Sequence, residues 1–502
     1  LSLRNNIIAN YLSQIYVTTI GIIVVPFYIM HMGAEVYGLI GFFVLMQSWL
    51  TLMDLGLTPT VVRETARFKG GNLTALYFRQ VVRALSIVFW TLAVVGGSAL
   101  YFLADTIATS WLNIESLAPD VVVFALKVMA ITVALRWLSG VFRGIIQGCE
   151  RLVWLSYFNV VLATFRSVGV IAVMNIWGFT PNIFFTYQLI ITILEAVILW
   201  STSRSLLPHI DKDIETIGWS LKPVKSVLKF ALTIAFTASI WLLITQTDKM
   251  VLSGILSLSE YGYFSLAVLV ASGIMIISGP VSNAVLPRMT NLFALNKHSE
   301  MLEIYRNSTQ LVAIIACSAA ITLAFFADHL LYAWTGDEQI VQHVTPILRL
   351  YVIGNGLLAI TSFPYYLQYA KGNLRYHLNG NLVMAGALIP SLIFASSNYG
   401  AIGAGYVWCA INFMFLFFWV AYVHSKIEPG LHVKWLLNDV LVIFIPAAVT
   451  GYLLNLFDLQ LQSRITSFAI LVLCGSLIII ISTIFSSLVR NYFVSIFNQR
   501  FG

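Results

Sequence analysis

The stretch Gln47–Arg67, Q-S-W-L-T-L-M-D-L-G-L-T-P-T-V-V-R-E-T-A-R, decides what kind of chain this is. Its first half is apolar, yet Gln47, Thr51, Asp54 and Thr58 recur at i, i+4, i+7 and i+11, so on a helix they share one face. Polar groups at membrane depth must face protein or water rather than lipid. Gly56 and Pro59 then end the run, and Arg63 and Arg67 follow in what reads as a basic surface loop. One segment thus carries a polar cavity wall together with its own orientation marker.

The rest of the chain agrees with that reading. Of 502 residues, 59% are hydrophobic and only 10% charged, with mean hydropathy +0.88, whereas soluble domains carry about 25% charged residues. About fourteen apolar runs are each long enough to span a bilayer. Their cores are 7–30, 37–57, 81–104, 120–141, 153–175, 182–201, 230–251, 262–284, 309–327, 342–363, 378–396, 401–423, 439–457 and 465–487. The fold class is therefore an all-α polytopic membrane protein. Basic residues test the count. Arg4, Arg63, Arg67, Lys69, Arg79, Arg83, Arg143, Arg151, Arg204, Lys212, Lys222, Lys225, Lys229, Arg288, Lys297, Arg306, Lys371, Arg375, Lys426, Lys434, Arg490 and Arg500 all fall on one side, while the opposite loops carry only Arg464. By the positive-inside rule both termini are cytoplasmic. The net charge of +7 thus marks topology, and no nucleic-acid partner is expected. No cleavable signal peptide is expected, because the first apolar run continues to Met30. The four cysteines lie far apart with no metal spacing, and no metal or cofactor is expected.

The chain divides after the sixth span. Residues 1–201 form a first lobe, 202–229 a charged cytoplasmic linker, 230–423 a second lobe and 424–502 a terminal helix pair. An internal echo supports two matched halves: Glu35-Val36-Tyr37-Gly38 opens the second span, and Ser259-Glu260-Tyr261-Gly262 opens the eighth.

Polar groups inside the spans are the candidate site. A second stripe, Asn10, Gln14, Thr18, Gly21 and Tyr28, runs along the first span, which Pro26 loosens. The two stripes wall a cavity, or else bind helices to one another. Lys127 and Arg136 are nine residues apart and face opposite ways; Arg136 and Arg143 are seven apart and share a face, as do Asn159 and Arg166. Each charge at the bilayer centre costs about 2.5–3.5 kcal/mol or more. Cations outnumber anions there, which suits an anionic substrate group such as phosphate. The alternative pairs Arg166 or Arg136 with Glu195, and Asp248 with Lys249 or Arg349, as structural ion pairs. Asp211-Lys212-Asp213 resembles a sugar-nucleotide metal motif but sits in a loop too short for such a domain. No phosphate-binding G-x-x-x-x-G-K-[ST] run occurs, so transport energy has to come from a gradient.

Asn6–Tyr16, Asp54–Arg67, Thr247–Gly254, Ser257–Ala267 and Gln368–Arg375 together resemble the polysaccharide transporter family. These are the Wzx-type O-antigen flippases of the multidrug/oligosaccharidyl-lipid/polysaccharide superfamily. The resemblance implies a bacterial inner-membrane protein with two six-helix lobes around a central cavity, and two further helices. It also implies oligosaccharide on polyprenyl pyrophosphate as substrate. On that reading Asn10, Gln14, Thr51 and Asp54 line a cytoplasm-facing cavity, Arg143 collects the anion at its mouth, and Arg136 and Arg166 hold it deeper. Lys249 and Arg349 are further cationic candidates, Trp241, Tyr365 and Tyr366 stack on sugar faces, and Glu195, Asp54 or Asp248 binds a coupling proton or other ion. The lipid tail stays among membrane lipids, and the product passes to polysaccharide polymerase machinery. A drug or cation exporter of the same superfamily is the alternative; a membrane polymerase or ligase would want a large external loop that this chain lacks.

Overall fold

A computed structural model describes residues 3–50, 54, 56–209, 217–218, 222–457 and 459–487. The described residues are helical almost throughout, with one isolated β-bridge between Asn113 and Ser257. In order, the helices are α1 (Leu3–Ile23), α2 (Val25–Leu50), α3 (Leu57–Lys69), α4 (Ala75–Thr106), α5 (Pro119–Gly148), α6 (Leu152–Thr164), α7 (Val170–Trp177), α8 (Pro181–Leu206), α9 (Lys222–Ile255) and α10 (Leu258–Ala294). They continue with α11 (His298–Val312), α12 (Ser318–Thr335), α13 (Glu338–Thr361), α14 (Phe363–Ala370), α15 (Arg375–Met414), α16 (Val420–Ile427), α17 (Leu431–Trp435), α18 (Val442–Asn455) and α19 (Arg464–Phe485). Single π-helical turns, Phe165–Gly169 and Leu436–Leu441 among them, join α6 to α7 and α17 to α18.

Among the described residues, twelve helical stretches are long and apolar enough to cross a membrane. Three of them contain a break, one at Phe326 in α12 and two at glycines. The backbone leaves the helical region at Gly33 (φ 84°) in α2 and at Gly400 (φ 58°) in α15, within the short loops expected at 31–36 and 397–400. Glycine alone adopts such angles without strain. Helix starts elsewhere follow their sequence signals: Pro119 and Pro181 open α5 and α8, and the Asp337 carboxylate accepts the N–H groups of Gln339 and Ile340 at 2.8 and 3.3 Å to cap α13.

The chain folds as two compact units, Leu1–Gly262 and Tyr263–Gly502. The first corrects the reading of Asp54–Arg67. Leu57–Lys69, which begins after Gly56, is an amphipathic helix of its own rather than a basic loop. Gly56 at φ 68° turns the chain, and the Asp54 carboxylate accepts the Thr58 N–H at 3.2 Å and the Thr58 hydroxyl at 2.7 Å. That satisfies a donor at the start of α3, as a cap does. Leu57, Val61 and Thr65 of α3 lie against α5, where Gly140, Gly144 and Gly148 recur every fourth residue. A methyl group at Gly144 would stand 2.9 Å from a Val61 methyl, and one at Gly148 would stand 2.7 Å from the Val62 carbonyl. Small residues at this spacing let two backbones close. Phe78, Leu85 and Phe89 of α4, with Trp137, Val141 and Ile145 of α5, complete the buried core there.

Loops expected on the base-poor side are stitched to one another within this unit. Asn113 Nδ2 donates to the Gly254, Ile255 and Leu256 carbonyls at 3.2–3.3 Å, and Trp111 Nε1 donates to the Ser253 hydroxyl at 3.0 Å. The Glu35 carboxylate accepts the Glu115, Ser116 and Leu117 N–H groups, the first at 2.8 Å. The Tyr-Gly echo has a physical reason: a side chain at Gly38 would collide with the Leu258 carbonyl, and one at Gly262 with the Ala34 carbonyl.

In the second unit, polar side chains bind apolar helices together. Asn355 of α13 donates to the Ala271 carbonyl at 2.8 Å and accepts from Trp408 Nε1 of α15 at 3.0 Å. Ser318 of α12 meets Ser482 of α19 at 2.8 Å. Gly354 admits the Trp408 ring, which a methyl group would overlap.

Candidate functional site

The helix that receives α3 also aims the site. Arg136 and Arg143, seven residues apart, lie on the same helix as the glycine stripe. Arg136 Nη1 donates to Gln47 Oε1, and its guanidinium lies 5.4 Å from the centroid of the Phe43 ring. A cavity of about 320 Å³ opens beside it, lined by Gln47, Asp54, Thr58, Arg136, Trp137 and Gly140. The described members of the polar face predicted for the opening stretch, Gln47, Asp54 and Thr58, therefore line one cavity. Thr51, assigned to the same wall, lies outside the described residues.

Arg143 carries the cluster inward. Its Nη2 reaches Glu195 Oε1 of α8 at 2.5 Å, and its Nη1 donates to Asn159 Oδ1 at 2.9 Å. Arg166 Nη2 bonds the other oxygen, Glu195 Oε2. Glu195 is buried, so the two guanidiniums replace the water it has lost. Of the two sequence alternatives, Arg166 pairs with Glu195; Arg136 does not, and takes the neutral Gln47 instead. Arg136 nonetheless lies close enough to Arg166, Glu195 and Arg143 to feel all three charges. Counted with Asp54, the three arginines and Glu195 leave one positive charge in excess; of these five groups, Arg136 and Asp54 line the cavity, and Arg143, Arg166 and Glu195 lie behind it. Arg136 Nε and Arg166 Nε are buried and meet no acceptor among the described residues. Buried donors are ordinarily satisfied, and Trp137 Nε1 and Arg349 Nε are likewise without an acceptor among the described residues.

A π-helical turn places Arg166. At Phe165–Gly169 the i→i−4 ladder is interrupted, and three successive carbonyls accept side-chain donors instead. Tyr187 donates to Phe165 O at 3.0 Å, Gln188 to Arg166 O at 3.0 Å and Tyr28 to Ser167 O at 3.2 Å. The small Gly169 lets the Tyr187 hydroxyl in. Such insertions often accompany functional sites. The sequence reading found Arg166 and Tyr28 but not the turn; tyrosine and glutamine facing an apolar helix were its available signal.

The remaining candidates are more dispersed. Asn10 and Gln14 are exposed on α1 and do not line this cavity; the α1 face packed on α6 instead uses Ser13, which donates to Ser156 O at 3.0 Å. Lys249 pairs with Asp248 at 3.5 Å and also donates to Thr245 O at 2.6 Å. Trp241 is exposed, and Lys127 pairs with Asp105 at 3.0 Å. In the second unit, Arg349 reaches Asp328 at 3.9 Å and Phe325 O at 3.4 Å. Tyr365 lies 4.5 Å from His377, ring to ring, whereas Tyr366 is buried edge-on to Phe363 and has no open face comparable to that of Tyr369. Asp211, Lys212 and Asp213 lie outside the described residues. Among the described residues no group of three or more metal-ligating side chains comes together.

Comparison with known proteins adds to this geometry. The pattern of a family described as Polysaccharide biosynthesis protein matches residues 3–293. A Shigella flexneri protein named "Putative O-antigen transporter" is 22% identical over 417 residues, covering 81% of this chain and 94% of its own. The lipid II flippase MurJ, in an inward closed conformation, superposes with a TM-score of 0.73 at 14% identity, over 97% of this chain and 99% of its own. An inward-facing multidrug transporter of the MATE family, in the MOP superfamily, gives 0.64 at 13% identity, over 83% and 96%. These structural likenesses establish a shared transporter fold.

Proposed function

The chain belongs to the polysaccharide biosynthesis protein family, and from that premise we propose that it is a flippase for polyprenyl-pyrophosphate-linked oligosaccharide. It carries an O-antigen or similar repeat unit from the cytoplasmic to the periplasmic leaflet of a bacterial inner membrane, by alternating access. The observation that carries this reading is the surplus of guanidinium at membrane depth. Arg136, Arg143 and Arg166 gather around one buried carboxylate, with two N–H donors unspent. A pyrophosphate offers several acceptor oxygens in the planar geometry that arginine matches, and charge-assisted bonds are the stronger kind. The ~320 Å³ cavity along Gln47, Asp54 and Thr58 gives the anion, or the first sugar, its approach to Arg136.

The domain plan keeps its proposed form: lobes at 1–201 and 230–423, a linker at 202–229 and a terminal pair at 424–502, with about fourteen spans once the breaks at Gly33 and Gly400 are taken as loops. Both termini lie in the cytoplasm. The glycan is assigned to Asn10, Gln14, Trp241 and Tyr365, with Lys249 and Arg349 as outlying cations. Of the three coupling candidates, Asp54 is the best suited to take a proton. Among the described residues it is held by Thr58 alone, whereas Glu195 is bracketed by two arginines and Asp248 lies beside Lys249.

The test is transport in reconstituted vesicles. A fluorescent polyprenyl-pyrophosphate oligosaccharide and a cationic dye are offered to the same preparation, with and without a proton gradient. Movement of the lipid-linked sugar alone, faster with the gradient, supports the flippase. Movement of the dye while the lipid-linked sugar stays assigns the chain to drug export and returns the arginines to structural roles.

A further inference from the structure

The second unit holds a cavity that the flippase reading does not use. Its volume is about 790 Å³, and it opens where the start of α11, the Glu428–Gly430 turn, α17 and the end of α19 converge. All of these lie at helix ends on the base-rich side, the level of lipid headgroups. One wall is α11, with Glu303, Arg306 and Asn307 at spacings of three and four, so they share a face. The other is α17 and its π-helical extension, presenting Lys434 and Asn438 one turn apart. Leu302, Val442 and Phe485 give the cavity an apolar flank.

The walls are firmly built. Asp439 is wholly buried and receives Arg306 Nε at 2.6 Å, Arg306 Nη2 at 3.1 Å and Gln310 Nε2 at 2.6 Å. That fork fixes the Arg306 guanidinium in place and leaves its remaining N–H groups for a ligand. The π-helical turn Leu436–Leu441 brings Asp439 to the core and leaves Asn438 exposed on the cavity. Glu303 and Lys434 are exposed to the cavity and have no ion pair among the described residues.

We infer that this cavity is a binding site for a zwitterionic aminophospholipid headgroup, the phosphoethanolamine group of a membrane lipid. The phosphate meets Lys434 and the free edge of Arg306, with Asn307 and Asn438 as neutral donors. The ammonium meets Glu303, and the acyl chains leave along Leu302, Val442 and Phe485. An anionic headgroup is disfavoured because the carboxylate of Glu303 faces the same space as the cations, while Glu428, also on the wall, is paired with Lys371. A choline headgroup is disfavoured because it has no N–H to give the carboxylate.

The experiment uses the purified full chain, delipidated in detergent and incubated with mixed micelles containing equal phosphatidylethanolamine, phosphatidylcholine and phosphatidylglycerol. Retained lipid is counted by native mass spectrometry. Phosphatidylethanolamine is retained as a single copy, with a preference of about tenfold or more. Glu303→Gln and Lys434→Met each lower that retention about fivefold or more, with the lipid-free unfolding midpoint unchanged. Retention of phosphatidylglycerol or phosphatidylcholine at the same level overturns the assignment, as does unchanged retention by both variants. If soluble phosphoethanolamine raises the unfolding midpoint as much as the lipid does, the ligand comes from solution and the lipid assignment falls.

Discussion

Each unit buries one carboxylate against arginine beside a π-helical turn, and the two arrangements differ in what they leave over. Glu195 in the first unit binds two guanidiniums and lies within electrostatic reach of a third. Asp439 in the second binds one guanidinium and one amide. The first therefore keeps positive charge to spend, whereas the second is balanced and its cavity offers both signs. On the proposed function, the same motif of acid, base and helical insertion offers spare cations to an anion in the first unit, whereas in the second it holds one arginine at the edge of a cavity of mixed charge. The count of arginines decides which.

Removing the carboxylates breaks this comparison most forcibly. Glu195→Ala leaves two buried arginines unpaired and costs about 3–5 kcal/mol of stability, read as lost folded yield and a lowered unfolding midpoint in detergent. Asp439→Ala costs less, about 1–3 kcal/mol, because Arg306 is about one-third exposed and can turn to solvent. Equal losses would contradict the distinction between a surplus and a balance.

The glycine stripe that seats α3 comes next. Gly148→Val drives a side chain onto the Val62 carbonyl and costs about 1–3 kcal/mol, again measured by thermal unfolding. Because α5 also carries Arg136 and Arg143, transport falls with it. A variant of full stability and full transport would show that α3 does not depend on close approach here.

Arg136→Gln sharpens the comparison without unfolding anything. Its hydrogen-bond partner is the neutral Gln47, so the folded state changes by less than about 1 kcal/mol while transport of the lipid-linked sugar drops about tenfold or more. The smallest expected effect is at the turn itself. Tyr187→Phe removes the donor to the Phe165 carbonyl, costs about 0.5–1.5 kcal/mol and lets Arg166 drift, lowering transport a few-fold. Initial rates in vesicles and the unfolding midpoint check both.

Much of this was legible in the sequence, and the omissions have physical reasons. A bilayer imposes about twenty apolar residues per crossing, so the spans stood out, and glycines at 33 and 400 turn the chain where loops were expected. Charges at depth are conspicuous for the same reason, and Arg166 did meet Glu195. Asp54 was placed on the cavity by a helical periodicity read from 47 to 58; it does line that cavity, beside the turn at Gly56 that opens α3. The helix Leu57–Lys69 was taken for a loop because Gly56 and Pro59 read as terminators, although an acid, a glycine and a proline within the first turn also announce a helix start. Gly140, Gly144 and Gly148 would have supplied the partner. The π-helical turns left no such trace, since their stability rests on donors from other helices such as Tyr187 and Gln188. Arg306 was counted as a topology marker, so its bond to Asp439 was not anticipated.

The most direct measurement is the affinity of the purified chain for a short-chain prenyl pyrophosphate and for the matching prenyl alcohol, in native protein and in Arg136→Gln. The arginine surplus predicts that the pyrophosphate binds about tenfold or more tightly than the alcohol, and that the variant loses most of this difference. Equal binding of alcohol and pyrophosphate, or a preference that survives in Arg136→Gln, would contradict an anion site at this cluster.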